Sequence, residues 1–112
     1  MLQLLESFED KTHFICITRF FKDGDLLDYY NFDEEKGLSK FRSIIFQVAK
    51  GIQSLHSVNI IHRDIKASNI FVDSGSVCIG DFGTAQQLET ADSTLSFKIG
   101  TPGYLPPELI AN

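Results

Sequence analysis

Eight consecutive residues, His62-Arg63-Asp64-Ile65-Lys66-Ala67-Ser68-Asn69, put an acid, a cation and a carboxamide within one short stretch. A second carboxylate follows in Asp81-Phe82-Gly83, after a strand-turn-strand pattern. Together these are the inventory of a phosphoryl-transfer site. Such a site needs an acid for a hydroxyl proton, a lysine for charge developing on the phosphate, and two oxygen ligands for magnesium. Any one of these side chains alone is ordinarily a solvated surface charge. Their order and spacing carry the chemistry: Asp81 lies 19 residues after His62, room for a loop and two short strands, and Glu108 a further 27 residues on.

Positioning such a loop takes a rigid frame, and the flanking pattern supplies one. Leu2 to Phe8, a turn at Glu9-Asp10-Lys11 and then His13 to Phe21 read as a hairpin. Its second run, Phe14-Ile15-Cys16-Ile17-Thr18, is nearly all apolar, as a strand covered on both faces would be. Lys22-Asp23-Gly24-Asp25 breaks that strand, and Leu26 to Asn31 can start a short helix. Over residues 39–57, Phe41, Ile44, Ile45, Val48, Ala49, Ile52 and Leu55 follow helical spacing, with Ser39 as N-cap; this stripe is expected to be core packing. Ile60-Ile61 anchors the loop that begins at His62, and Phe71 to Ile79 reads as two short strands around a tight turn. From Thr84 to Ile99 the polar, Ser/Thr-rich pattern predicts a long mobile loop.

At 112 residues the chain is one unit, able to bury about two thirds of its unfolded surface. A net charge of −5 with no dense Lys/Arg stripe argues against a nucleic-acid or anionic-membrane surface. No apolar run approaches the roughly 18 residues of a membrane span. Cys16 and Cys78 lie in separate apolar runs without metal-ligand spacing, and are expected to be reduced, buried thiols in a cytoplasmic or nuclear protein.

The loop from His62 to Asn69, Asp81-Phe82-Gly83 and Pro106-Pro107-Glu108, in this order, resemble the signatures of eukaryotic protein kinases. The resemblance covers essentially the whole chain and implies an α+β, protein-kinase-like fold, truncated. Residues 1–18 would be the last small-lobe strands, 19–25 the hinge, and 26–112 the first part of the large lobe, through its activation loop. It further implies ATP and Mg2+ as cofactors and proteins with Ser/Thr acceptors as substrates. Asp64 would orient the acceptor hydroxyl and take its proton, Lys66 would stabilise the transferring phosphoryl group, and Asn69 and Asp81 would hold magnesium. Lysine at position 66, with Gly100-Thr101 before Tyr104, resembles the serine/threonine class, in which the Thr101 hydroxyl bonds towards Asp64 and Lys66. The platform from Gly100 to Glu108 disfavours a small-molecule phosphotransferase.

By the same resemblance, Thr18 is the gatekeeper, and the backbone of Arg19 and Phe21 faces the adenine. Asp25 reaches the ribose, and Phe71 with Leu26 floors the base. Leu4, His62 and Phe82 are members of a hydrophobic stack. Arg63 implies activation by an upstream kinase, because a guanidinium is a ready phosphate receptor. Thr90, Ser93, Thr94 and Ser96 are available for that, with Ser96 the best placed, although Phe97 stands where many such kinases carry the phosphorylated residue. Thr84 implies threonine over serine as acceptor, and Ser68 does not favour arginine-rich substrates.

Two signatures of the family are absent from these 112 residues: a Gly-x-Gly-x-x-Gly loop and a Val-Ala-x-Lys strand. The sequence therefore enters the pattern at the fourth small-lobe strand, and Glu108 would pair with an arginine further on. Two expectations follow. The isolated chain has little or no catalysis, and helix 39–57 leaves its second side exposed. The alternative is a non-catalytic, pseudokinase-like binding or regulatory fragment.

Overall fold

A computed structural model describes residues 1–31, 37–89 and 99–110. Its first element is an antiparallel hairpin, β1 (Leu4–Glu9) and β2 (Phe14–Thr18), with Glu9 opposite Phe14. Asp10 closes the turn, its Oδ1 accepting from the backbone N–H groups of Thr12 (2.7 Å) and His13 (2.8 Å). The expected burial of β2 does not occur. Phe14 is 67% exposed, and Ile15, Cys16 and Ile17 are exposed with it. A two-stranded ribbon has no third strand to cover it, and β1 is its only sheet partner among the described residues.

Asp25 turns the chain into helix α1 (Leu26–Asn31), its Oδ1 capping the Asp28 N–H at 2.9 Å. Helix α2 (Leu38–His56) starts one residue earlier than its sequence signal. Gly37 is its N-cap in an extended conformation with no side-chain cap, so Ser39 falls inside the first turn. The apolar stripe divides. Ile44, Val48 and Leu55 are buried and Ile52 is partly so, but Phe41, Ile45 and Ala49 face outward, as does Phe46 outside the stripe. As expected, the second side of this helix is open among the described residues.

The buried side of α2 packs on a second hairpin, β4 (Ile70–Asp73) and β5 (Ser76–Ile79). Ser74 and Gly75 form its turn with φ of 53° and 81°, the pair of left-handed residues that a tight two-residue hairpin requires. Gln47 locks hairpin to helix: its Nε2 donates to the Gly75 carbonyl (2.9 Å) and its Oε1 accepts from the Val77 N–H (3.2 Å). Leu26, Ile44, Val48, Ile70, Val72 and Ile79 form the core. Cys78 is buried as expected, while Cys16 is not; both are free thiols.

Two short strands frame the loop of interest. Strand β3 (Ile60–Ile61) pairs with β6 (Gln86–Gln87), and the Leu88 N–H donates to the Asn59 carbonyl at 2.8 Å. The stretch expected to be a mobile loop thus begins with a tethered segment. Thr90, Ser93, Thr94, Ser96 and Phe97 lie outside the described residues. A final helix, α3 (Pro107–Ile110), carries Glu108, which is exposed. No described helix is long and apolar enough to cross a membrane.

Candidate active site

Strand β3 delivers the chain to His62, which is 3% exposed. Its Nε2 meets the Gly80 carbonyl at 2.9 Å, and its Nδ1 accepts the Asp64 N–H at 3.3 Å. With one ring nitrogen on each contact, this histidine is a strut between two loops. Arg63 takes a left-handed conformation (φ 67°), which turns the chain so that Asp64 points inward. Its Nε donates to the Thr84 carbonyl at 2.6 Å, and the Thr84 hydroxyl donates to the His62 carbonyl at 3.0 Å.

Asp64 is the centre of a closed polar cluster. Its Oδ1 accepts from the Thr101 hydroxyl (2.6 Å) and the Thr101 N–H (3.0 Å). Its Oδ2 meets the Lys66 ammonium at 2.8 Å and accepts from Asn69 Nδ2 at 3.1 Å. Lys66 also donates to the Thr101 hydroxyl at 2.7 Å, and Asn69 Nδ2 to the Asp64 carbonyl at 2.9 Å. The structure therefore brings Asp64, Lys66, Asn69 and Thr101 together.

The Lys66 ammonium first, then the Thr101 hydroxyl, hold the Asp64 carboxyl down at about 2, against the opposing effect of its burial. The sign of the linkage follows. Because the folded value lies below the unfolded 3.8, this group's stabilisation is complete above pH 3.8 and is lost as pH falls towards 2. Lys66→Met is expected to raise the Asp64 value towards 3.8 and to flatten the loss of stability across that acid window. A carbon-detected carboxyl titration checks the first effect and acid unfolding the second. An unchanged Asp64 value in the variant would show that the lysine is not its principal partner.

Gly80 ties Asp81 to this cluster. Its N–H donates to the Asn69 carbonyl at 2.9 Å while its own carbonyl meets His62. A methyl group there would lie 2.6 Å from the Phe71 ring, so any side chain just after β5 would force that ring to shift. Asp81 is exposed, left-handed (φ 56°), and accepts the Gly83 N–H at 3.3 Å. Phe82 stands 5.0 Å from the His62 ring, centroid to centroid. Leu4 is 53% exposed on β1, which is not where a stack member would lie. Leu2, which the sequence did not single out, reaches this end of the core instead, donating its N–H to the Ile79 carbonyl at 2.8 Å.

These oxygens fit a divalent cation. Asn69 directs its amide nitrogen at Asp64, which leaves the carboxamide oxygen as the end available to a metal. Asp81 offers an exposed carboxylate. No three His, Cys, Asp or Glu side chains converge among the described residues, so a cation here would draw further oxygens from its ligand. Magnesium, which keeps few protein ligands and completes its shell with phosphates and water, suits that arrangement.

A cavity of about 430 Å³ opens between the end of β2, the start of α1 and Phe71 of β4. Thr18, Arg19, Phe21, Asp25 and Phe71 line it, together with Leu2, Phe20, Gly24 and Asp28, which sequence reasoning missed. Leu26 does not; it is buried in the core, because the first turn of α1 points it at the hairpin β4–β5. The aromatic pair Phe20-Phe21 was the available signal for Phe20, while Leu2 and Asp28 had none. Ser68 is exposed on the short turn Ala67–Asn69. Gly100, with φ of 138°, packs so closely that a methyl there would lie 2.9 Å from the Arg63 carbonyl oxygen, and this contact brings Thr101 to Asp64.

Similarity to known proteins runs the length of the chain. The sequence pattern of the protein kinase domain matches residues 1–112. The chain is 36% identical over 98% of its length to serine/threonine-protein kinase TIO of Arabidopsis thaliana, covering 8% of that protein. It is 36% identical over its whole length to serine/threonine-protein kinase PLK4 of Drosophila virilis, covering 15%. Against the phosphorylase b kinase gamma catalytic chain, liver/testis isoform, of Mus musculus the identity is 32% over 98% of the chain and 27% of that protein. The chain thus spans about a tenth to a quarter of the length of these curated relatives. With a match from end to end and an acid, lysine and asparagine converging at the expected loop, the chain belongs to the protein kinase domain family.

Proposed function

We propose that the chain is the catalytic region of a serine/threonine protein kinase, which moves the terminal phosphoryl group of ATP to Ser or Thr hydroxyls of proteins. The observation that carries this reading is the Asp64–Lys66–Thr101 triangle, with Asn69 bonded to the same carboxylate. Residues 1–18 are then the end of a small lobe, 19–25 the hinge, and the remainder the first part of a large lobe. The adenine occupies the 430 Å³ cavity, against the Arg19 to Phe21 backbone and over Phe71.

In this reaction the bond between the γ-phosphorus and its bridging oxygen breaks as the acceptor oxygen bonds to phosphorus. Asp64 orients the acceptor hydroxyl and receives its proton late, since a carboxyl held near 2 is a weak base. Lys66 meets the charge on the phosphoryl oxygens. Asn69 and Asp81 would hold magnesium, which supplies charge neutralisation on the phosphates when bound.

The test is phosphoryl transfer from γ-labelled ATP by the longest product the gene encodes, on paired peptides that differ only in Ser, Thr or Tyr. Label on Ser and Thr is expected, with Thr preferred because Thr84 presents a β-branched side chain next to Gly83. Label on Tyr alone, or on no peptide, would contradict the reading. The 112 residues by themselves are expected to transfer little or none, since they lack the lysine that clamps the nucleotide.

A second reading, a non-catalytic binder, draws support from the apolar surface on β2 and on the outer side of α2. It predicts tight association with a protein partner and no transfer by any length of product.

A further inference from the structure

The wall of the 430 Å³ cavity is less settled by packing than its floor. Phe21 has open space on two sides, since it borders both this cavity and a second of about 260 Å³ behind it. A ring between two voids is not fixed by van der Waals contact alone. Two directional contacts hold it. Phe21 stacks on Phe71 with centroids 5.6 Å apart and planes at 30°, and the Arg19 guanidinium lies 5.5 Å from the Phe21 centroid.

Arg19 is itself 66% exposed along its side chain, so its place over the ring depends on what grips it. That partner is Asp73, at the end of β4, 54 residues away in sequence and only 17% exposed. Oδ2 of Asp73 takes Arg19 Nη2 at 2.5 Å, while Oδ1 accepts the Ser74 hydroxyl at 3.2 Å and faces Lys22 Nζ at 3.9 Å. A second tie runs alongside, from the Ser74 N–H to Asp23 Oδ2 at 2.6 Å. Arginine stacked on an aromatic ring and paired to a carboxylate combines cation–π attraction with a fixed planar fork.

We infer that Asp73 is a positioning residue for the base of the nucleotide: by holding the Arg19 guanidinium over Phe21, it keeps that ring against Phe71 at the cavity wall. This rests on the nucleotide reading above. Asp73 touches no reacting atom, and its effect falls on base affinity rather than on transfer.

Adenosine is the probe, because it carries no charge and its binding responds to salt only through the protein. For the 112-residue chain, Asp73→Asn is expected to weaken adenosine about threefold to fivefold, the range of a partly exposed ion pair. Raising salt from about 0.05 M to about 1 M should weaken the wild type by a similar factor and leave the variant unmoved. Asp73→Glu should restore much of the affinity. Amide exchange on the free proteins supplies the second readout. In Asp73→Asn, the Gly24 N–H, bonded to the Phe21 carbonyl at 3.2 Å, should exchange faster while α2 amides hold their rates. If adenosine binds both proteins equally at all salt concentrations, the inference is overturned. If adenosine binds neither, the nucleotide reading fails, and exchange alone decides the role of Asp73: faster exchange at Gly24 upholds the latch on Phe21, unchanged exchange overturns it.

Discussion

Asp64→Asn is expected to lower phosphoryl transfer about 10³-fold, within the range for loss of a positioned proton acceptor. Nucleotide affinity should stay nearly unchanged. The substitution keeps the shape of the side chain but removes the charge that Lys66 faces at 2.8 Å. One end of the new carboxamide can still accept from Thr101. The other then presents hydrogens to Lys66 and to Asn69 Nδ2, both of which are donors. Donor meets donor, and the ammonium loses its counter-charge. Both changes fall on the acceptor hydroxyl and the moving phosphoryl group, not on the cavity that takes the base, so kcat should fall and Kd for ATP should not. Steady-state kinetics and nucleotide titration on the longest gene product measure the two. A kcat within tenfold of wild type would remove Asp64 from the role proposed for it.

The second large effect concerns stability, and two adjacent isoleucines provide its test. Ile44 is 1% exposed and belongs to the core; Ile45 is 45% exposed on the outer side of the same helix. Ile44→Ala is expected to cost about 3–4 kcal/mol, as transfer and cavity costs add. Ile45→Ala should cost no more than about 0.5 kcal/mol. Domains of ordinary size hold only about 5–15 kcal/mol in all, so the first variant loses a large share of the total. Urea unfolding followed by circular dichroism compares them. Equal losses would mean that the outer side of α2 is covered in solution, by self-association or otherwise.

How much of this was legible depended on whether the signal was local. The turn at Ser74-Gly75 was readable because a tight hairpin needs two residues that tolerate positive φ. The helix stripe was readable because its period is set by one element. Which half of that stripe would be buried was not, since Ile44 and Ile45 carry the same side chain and differ only in what packs against them. The same limit explains β2. An apolar run such as Phe14-Ile15-Cys16-Ile17 records a demand for cover, while cover itself comes from other elements. Strand β6 was invisible because Gln86–Gln87 is too short to show alternation.

At the candidate site, residue types and order singled out Asp64, Lys66 and Asn69 before any geometry, and the kinase resemblance added Thr101. The sequence held no sign of the Arg19–Asp73 contact, which spans 54 residues and involves charges that ordinarily decorate surfaces. It also missed Gly80, whose lack of a side chain leaves room for the Phe71 ring.

In the function proposed, Asn69 and Asp81 would hold the cation carried by the nucleotide. The most direct measurement is paramagnetic broadening on adding Mn2+ with ATP, followed by NMR of the 112-residue chain. Resonances of Asn69, Gly80, Asp81 and Gly83 should broaden first, and excess Mg2+ should restore them. Broadening that instead begins at the exposed acids of β1, Glu6 and Glu9, with Asn69 and Asp81 unaffected, would contradict the account.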